Sequence, residues 1–262
     1  MATQAETIQA APERDYLNNE FGLGSWFFTT DHKRIALLYL FSITFMFFVG
    51  AFFALIIRLE LLTPKGDLVQ PDTYNKMFTQ HGLVMIFFFL IPSIPAVLGN
   101  FLIPLMIGAK DVAFPKLNLL SWYVYDVGAI MFIYTILTGG LDTGWTFYTP
   151  LSTSFVSSSV VVGALAIFVV GFSSILTSIN FIVTVHRLRA PGMTWGRLPL
   201  FVWASYATAV IIVLGTPLIA ISMALVALEP LRQVVFRSRR FKRDLALDQR
   251  IDAVRRGERL FQ

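Results

Sequence analysis

The chain has 262 residues, of which 56 % are hydrophobic and only 14 % charged, with a formal net charge of +5. Soluble domains carry about 25 % charge, so a water-soluble enzyme or binding module is excluded, and the mean hydropathy of +0.68 points to a membrane protein. Cysteine is absent, which excludes disulfides and thiolate metal sites.

Residues 1–30 are polar and are expected to form an N-terminal segment without a cleavable signal peptide, because the first apolar run is too long and too late for one. Five runs then lack Lys and Arg over the length that spans a bilayer, about 20 residues. They are Ile35–Ile57, Gly82–Ala109, Leu117–Gly140, Val160–Val185 and Leu198–Leu228. Short loops join them. The expected fold is an all-α integral membrane protein over residues 31–230, with five transmembrane helices in an up-down bundle. Residues 231–262 form a basic tail, with ten Lys or Arg from Arg232 onward. An interfacial amphipathic helix and a solvated charged tail are both open readings of it.

Lys and Arg concentrate on the cytoplasmic side of membrane proteins. With the N-terminus inside, the inner segments hold Arg14, Lys33, Arg34, Lys110, Lys116, Arg187, Arg189 and Arg197, against Lys65 and Lys76 outside and Arg58 at the end of the first span. That places the N-terminus in the cytoplasm. Five spans then put the basic tail outside, against the same rule.

Polar residues sort by depth into two groups. Arg58 at the outer end of the first span, His81 at the start of the second, and Trp145 and Tyr148 in the loop "GGLDTGWTFYTPLS" converge on the outer side. An imidazole, a guanidinium and an indole suit an anionic planar cofactor with a metal. The same residue types also serve as ordinary interface anchors, and spacing alone leaves both readings open. Toward the cytoplasm, Asn100 lies roughly 28 Å beyond His81 at about 1.5 Å per residue. The loop "IGAKDVAFPKLN" supplies Asp111 and Asn118. Ser173, Thr177, Asn180 and Thr184 fall on one helix face, flanked by Ser174 and Ser178. A carboxylate with a stripe of hydroxyls and amides suits an ordered water file for protons; small polar residues also pack membrane helices closely. Asp126 is a carboxylate inside a span, a functional candidate by default.

These segments share an order with one known family. "TTDHKRIALLYL", "IIRLEL", "TQHGLVMIFFFLIP", "GNFLIPLMIGAKDVAFPKLN", "GWTFYTPLS", "GFSSILTSINFIVT" and "RAPGMTWGRLPLFVWA" resemble the first half of subunit I of haem-copper oxidases, the cytochrome c oxidase type, from about Trp26 to Phe236. The resemblance implies that His81 is one axial, metal-binding ligand of a low-spin, a-type haem. It implies that Arg58 contacts the formyl group of that haem, with Trp145 beside it and Tyr148 in the same outer loop. It implies that Asp111 is the entry of the D proton pathway, Asn100 and Asn118 its constriction, and Ser173 and Ser174 its upper hydroxyls. Leu119 departs from the pattern, where the family usually has a second Asn.

The family's second low-spin ligand, its high-spin haem ligand and its three copper-binding histidines come from helices six to ten. This sequence has only His32, His81 and His186. The expectation is therefore a truncated or split subunit I that shares its haem with another chain and binds no copper itself. The oxygen-reducing activity would be complete only with a partner carrying helices six to twelve. Other respiratory-complex subunits and membrane lipid are the expected partners and cytochrome c an indirect electron donor, in a bacterial inner membrane, with no role for nucleic acid. A non-catalytic scaffold derived from subunit I is the rival reading, and a small haem-binding electron carrier a third.

Overall fold

A computed structural model describes residues 15–17, 22–66, 68–148, 152 and 158–255, with residues 158 and 230–255 as backbone only. Much of the polar N-terminal segment and residues 256–262 of the tail thus lie outside the described residues. A short helix, α1 (Leu23–Phe27), precedes the first long one. Asp31 caps α2 (His32–Glu60), its carboxylate accepting from the N–H groups of Lys33 at 2.8 Å and Arg34 at 3.1 Å. That satisfies two donors the helix cannot satisfy itself and places negative charge at the positive end of its dipole. Then come α3 (Pro71–Ile107), α4 (Pro115–Leu137), α5 (Ser158–Arg187) and α6 (Leu200–Arg255).

Among the described residues, five helices are long and apolar enough to cross a membrane: α2, α3, α4, α5 and the segment Leu200–Glu229 of α6. The all-α, five-span expectation therefore holds. The side on which α2 begins is called the near side below, the other the far side.

Two helices extend beyond their apolar runs. α3 begins at Pro71, where the ring fixes a helical φ and the missing N–H costs nothing in the first turn. His81 therefore lies about 15 Å inside the helix, at roughly 1.5 Å per residue, rather than at its start. α3 also loosens into π-helical turns at Val84–Leu90 and Ser93–Gly99, on either side of Pro92 and across Pro95. Wider turns accommodate prolines that cannot donate to the ladder. At the other end of the chain, α6 does not stop at Leu228. Its backbone stays helical through Pro230 to Arg255, because Arg, Lys, Leu, Ala and Gln, which dominate this stretch, are good helix formers whatever their polarity.

Hydrocarbon solvates apolar side chains as well as a neighbouring helix does, so membrane helices associate by close packing and hydrogen bonds. α5 is the most buried of the five spans and α6 the least. Among the glycines within the helices, the tightest is Gly128 of α4, where an added Cβ would stand 2.5 Å from Val170 Cγ2 and 3.0 Å from the Ala166 carbonyl of α5. Gly128→Val is expected to force these helices apart and to lower stability by about 1–3 kcal/mol, the usual cost of overpacking, read as an earlier thermal transition in detergent.

Candidate functional site

On the far side the site is built on one carbonyl. His81 Nδ1 stands 3.0 Å from the carbonyl oxygen of Gly50, across the interface of α3 and α2. A carbonyl can only accept, so Nδ1 carries the proton, and in the neutral ring Nε2 presents its lone pair. The next residue, Gly82, leaves room for an indole: a Cβ there would lie 3.0 Å from Trp145 Cβ. The loop after α4 is held against α3 by the N–H of Gly144, which donates to Thr79 Oγ1 at 3.1 Å. At Gly140, with φ 72°, a Cβ would overlap the Gln80 amide. The structure thus places Trp145 against Gly82, the residue after His81. Tyr148 is exposed near the end of the same loop. Arg58 is exposed on the last turn of α2, about 12 Å beyond Gly50 along the axis at roughly 1.5 Å per residue.

An imidazole oriented from behind by a backbone carbonyl, with its other nitrogen free, is the form in which histidine binds metals. His81 would therefore fit as one ligand of a haem iron, through Nε2. Neither other histidine pairs with it. His32 is the first residue of α2, and His186 lies in the last turn of α5, bonded through Nε2 to the Tyr206 hydroxyl at 2.8 Å. Both are on the near side.

The near side holds the second cluster. Asp111, in the loop between α3 and α4, accepts from the Val112 N–H at 2.7 Å, and its Oδ1 stands 3.2 Å from Nδ1 of buried His32. The pair is at ion-pair distance, but its alignment is not that of a hydrogen bond. Two residues of α5 clamp the loop. Thr184 Oγ1 accepts from the Ala113 N–H at 2.8 Å. The Asn180 amide takes the Phe114 N–H at 2.9 Å and donates to the Phe114 carbonyl at 3.2 Å.

Deeper in the bundle lie Asn118 and Asn100, both fully buried, Asn100 donating to the Ala96 carbonyl at 2.8 Å. Deeper still, the Tyr39 hydroxyl donates to Ser121 Oγ at 2.9 Å and stands 3.1 Å from Ser173 Oγ, which donates to the Ser121 carbonyl at 2.7 Å. Tyr39, Ser173, Ser174 and Thr177 line a cavity of about 10 Å³, room for about one water. Among the described residues, all but one of the buried side-chain polar atoms lacking a protein hydrogen-bond partner belong to His32, Asn100, Asn118 and Thr177. Buried polar groups ordinarily find a partner, in protein or in water, so these atoms suit contact with ordered water. Asp126 lies on the next turn of α4, half-buried and beside Ser42, whose oxygen accepts from Trp122 Nε1 at 3.2 Å.

The family described as Cytochrome C and Quinol oxidase polypeptide I matches residues 34–245. The chain belongs to this oxidase subunit I family. Cytochrome c oxidase subunit 1 of Thermostichus vulcanus is 41 % identical over 198 residues, covering 76 % of this chain and 36 % of that protein. Quinol oxidase subunit 1 of Bacillus subtilis (strain 168) is 37 % identical over 209 residues, covering 79 % and 32 %. The chain spans about a third of the length of the curated relatives it matches. The oxidase match runs on to residue 245, past Phe236 where the motif resemblance stops, so it includes the first part of the basic tail.

The oxidase motifs had not singled out three residues of the near-side cluster: His32 beside Asp111, and Tyr39 and Ser121 at the hydroxyl node. The signal for two of them was available. His32 directly follows the Asp31 cap at the level of the Asp111 loop, and Tyr39 lies two turns further along α2, on the same face. Asn180→Ala is expected to free the Phe114 amide and to speed its hydrogen exchange about fivefold or more, the loss of about 1 kcal/mol per hydrogen bond, while exchange in α2 stays unchanged.

Proposed function

We propose that this chain is the part of a haem-copper oxidase subunit I that holds one face of the low-spin haem and admits protons through a D-type pathway. The observation that carries the reading is His81, whose Nδ1–H is engaged by the Gly50 carbonyl and whose Nε2 is left for a metal. When bound, the haem would supply one-electron transfer. His81 would be its axial ligand. Trp145 would pack beside it, and Arg58 and Tyr148 would meet its polar edge. The second imidazole would come from residues beyond these 262, on this polypeptide or on another, and so would the copper ligands. The reaction served is electron transfer from cytochrome c to oxygen, in a bacterial inner membrane with the N-terminus cytoplasmic.

Protons would enter at Asp111, with His32 beside it, pass the buried Asn118 and Asn100, and reach Ser173 and Ser174 at the Tyr39 node. The support is the set of buried polar atoms without protein partners on His32, Asn118, Asn100 and Thr177. Asp111 acts as the proton-collecting group and the amides order water between it and the hydroxyls.

In the purified complex, His81→Ala is expected to abolish the low-spin haem absorbance while the protein still inserts and assembles. Unchanged haem content would show that the ligand is elsewhere. Asp111→Asn is expected to slow proton uptake on the order of 100-fold, the low end of what a positioned proton-transfer group contributes, measured with a pH dye after rapid oxidation. A purified complex with no haem and no complementary chain would favour the non-catalytic scaffold instead.

A further inference from the structure

Beside the loop that carries Asp111, an open groove of about 610 Å³ is lined by Thr30, Ala113, Phe114, Pro115, Lys116 and Leu117. Its walls are largely apolar, and Thr30 and Lys116 are the residues with polar side chains among those that line it. Phe114 is 44 % exposed, and Phe28, two residues before Thr30, is 79 % exposed. The groove lies at the level where α2 and α4 both begin, at the near-side boundary between membrane and water.

Beside it, residues 108–117 carry Lys110 and Lys116 against one carboxylate, Asp111, and Asp31 follows Thr30. The Asp31 carboxylate is taken by the cap of α2, and that of Asp111 by the Val112 N–H and His32. Among the described residues neither Lys110 nor Lys116 has a carboxylate within ion-pair distance. A soluble anion would satisfy the lysine but not the apolar walls. A zwitterionic lipid would cover the walls but bring no net charge. An amphiphile with a net negative head at the membrane surface satisfies both.

We propose that this groove seats an anionic phospholipid of the near-side leaflet, its phosphate on Lys116 and one acyl chain along Phe114, Pro115 and Leu117. Ala113 and Phe114 are also the residues clamped by Thr184 and Asn180, so lipid and clamp bear on one segment.

The test is native mass spectrometry of the purified protein with its co-assembled subunits, released from mixed micelles of phosphatidylglycerol and phosphatidylcholine. The wild type should retain phosphatidylglycerol preferentially. Lys116→Gln should lower that retention about fivefold, the equivalent of about 1 kcal/mol for one basic residue at an anionic surface. Lys116→Arg should keep it, and Lys65→Gln on the far side should leave it unchanged. Equal retention of the two lipids, unchanged retention in Lys116→Gln, or displacement by inorganic phosphate would overturn the proposal. None of these readings involves haem or oxygen, so the lipid site and the proposed function fail separately.

Discussion

Three of the five spans meet at one oxygen atom. The Tyr39 hydroxyl on α2 bonds Ser121 on α4 and stands within hydrogen-bond distance of Ser173 on α5, and Ser173 in turn bonds the Ser121 backbone. In a bilayer this matters more than in water, because apolar side chains gain little by leaving lipid for each other. Close packing at Gly128 and polar contacts at the Tyr39 node therefore fix how α2, α4 and α5 sit. The same logic places His81, whose bond to the Gly50 carbonyl couples α3 to α2 on the far side. The contacts that hold the bundle are the contacts that orient the candidate site.

Much of this was legible in the sequence. Apolar runs free of Lys and Arg located all five spans, since nothing but length and composition decides whether a segment can cross a membrane. The depth of His81 was less legible. Pro71–Gln80 is polar and reads as loop, but a helix start needs only a proline at its first position and a tertiary surface to lie on, here the loop from Gly139 to Tyr148. The tail misled for the opposite reason: its charge marks the end of the membrane segment, whereas its helix propensity continues the helix.

The serine and threonine stripe of α5 shows what periodicity can and cannot say. It put Ser173, Thr177, Asn180 and Thr184 on one face, and all four are buried. It could not divide them. Asn180 and Thr184 are consumed in clamping the Asp111 loop, whereas Thr177 keeps a buried hydroxyl without a protein partner. That division depends on which backbone groups of a distant loop arrive opposite each residue, and no single helix encodes it. The level of His32 was readable from the Asp31 cap, but not its contact with Asp111, which comes from the loop two spans later.

The most direct measurement is a cryo-electron density map of the purified complex with its cofactors in place. It should show His81 Nε2 on a haem iron at coordination distance, with Nδ1 still on the Gly50 carbonyl and Trp145 against Gly82. A haem ligated without His81, or His81 turned so that Nε2 meets Gly50 instead, would contradict the assignment.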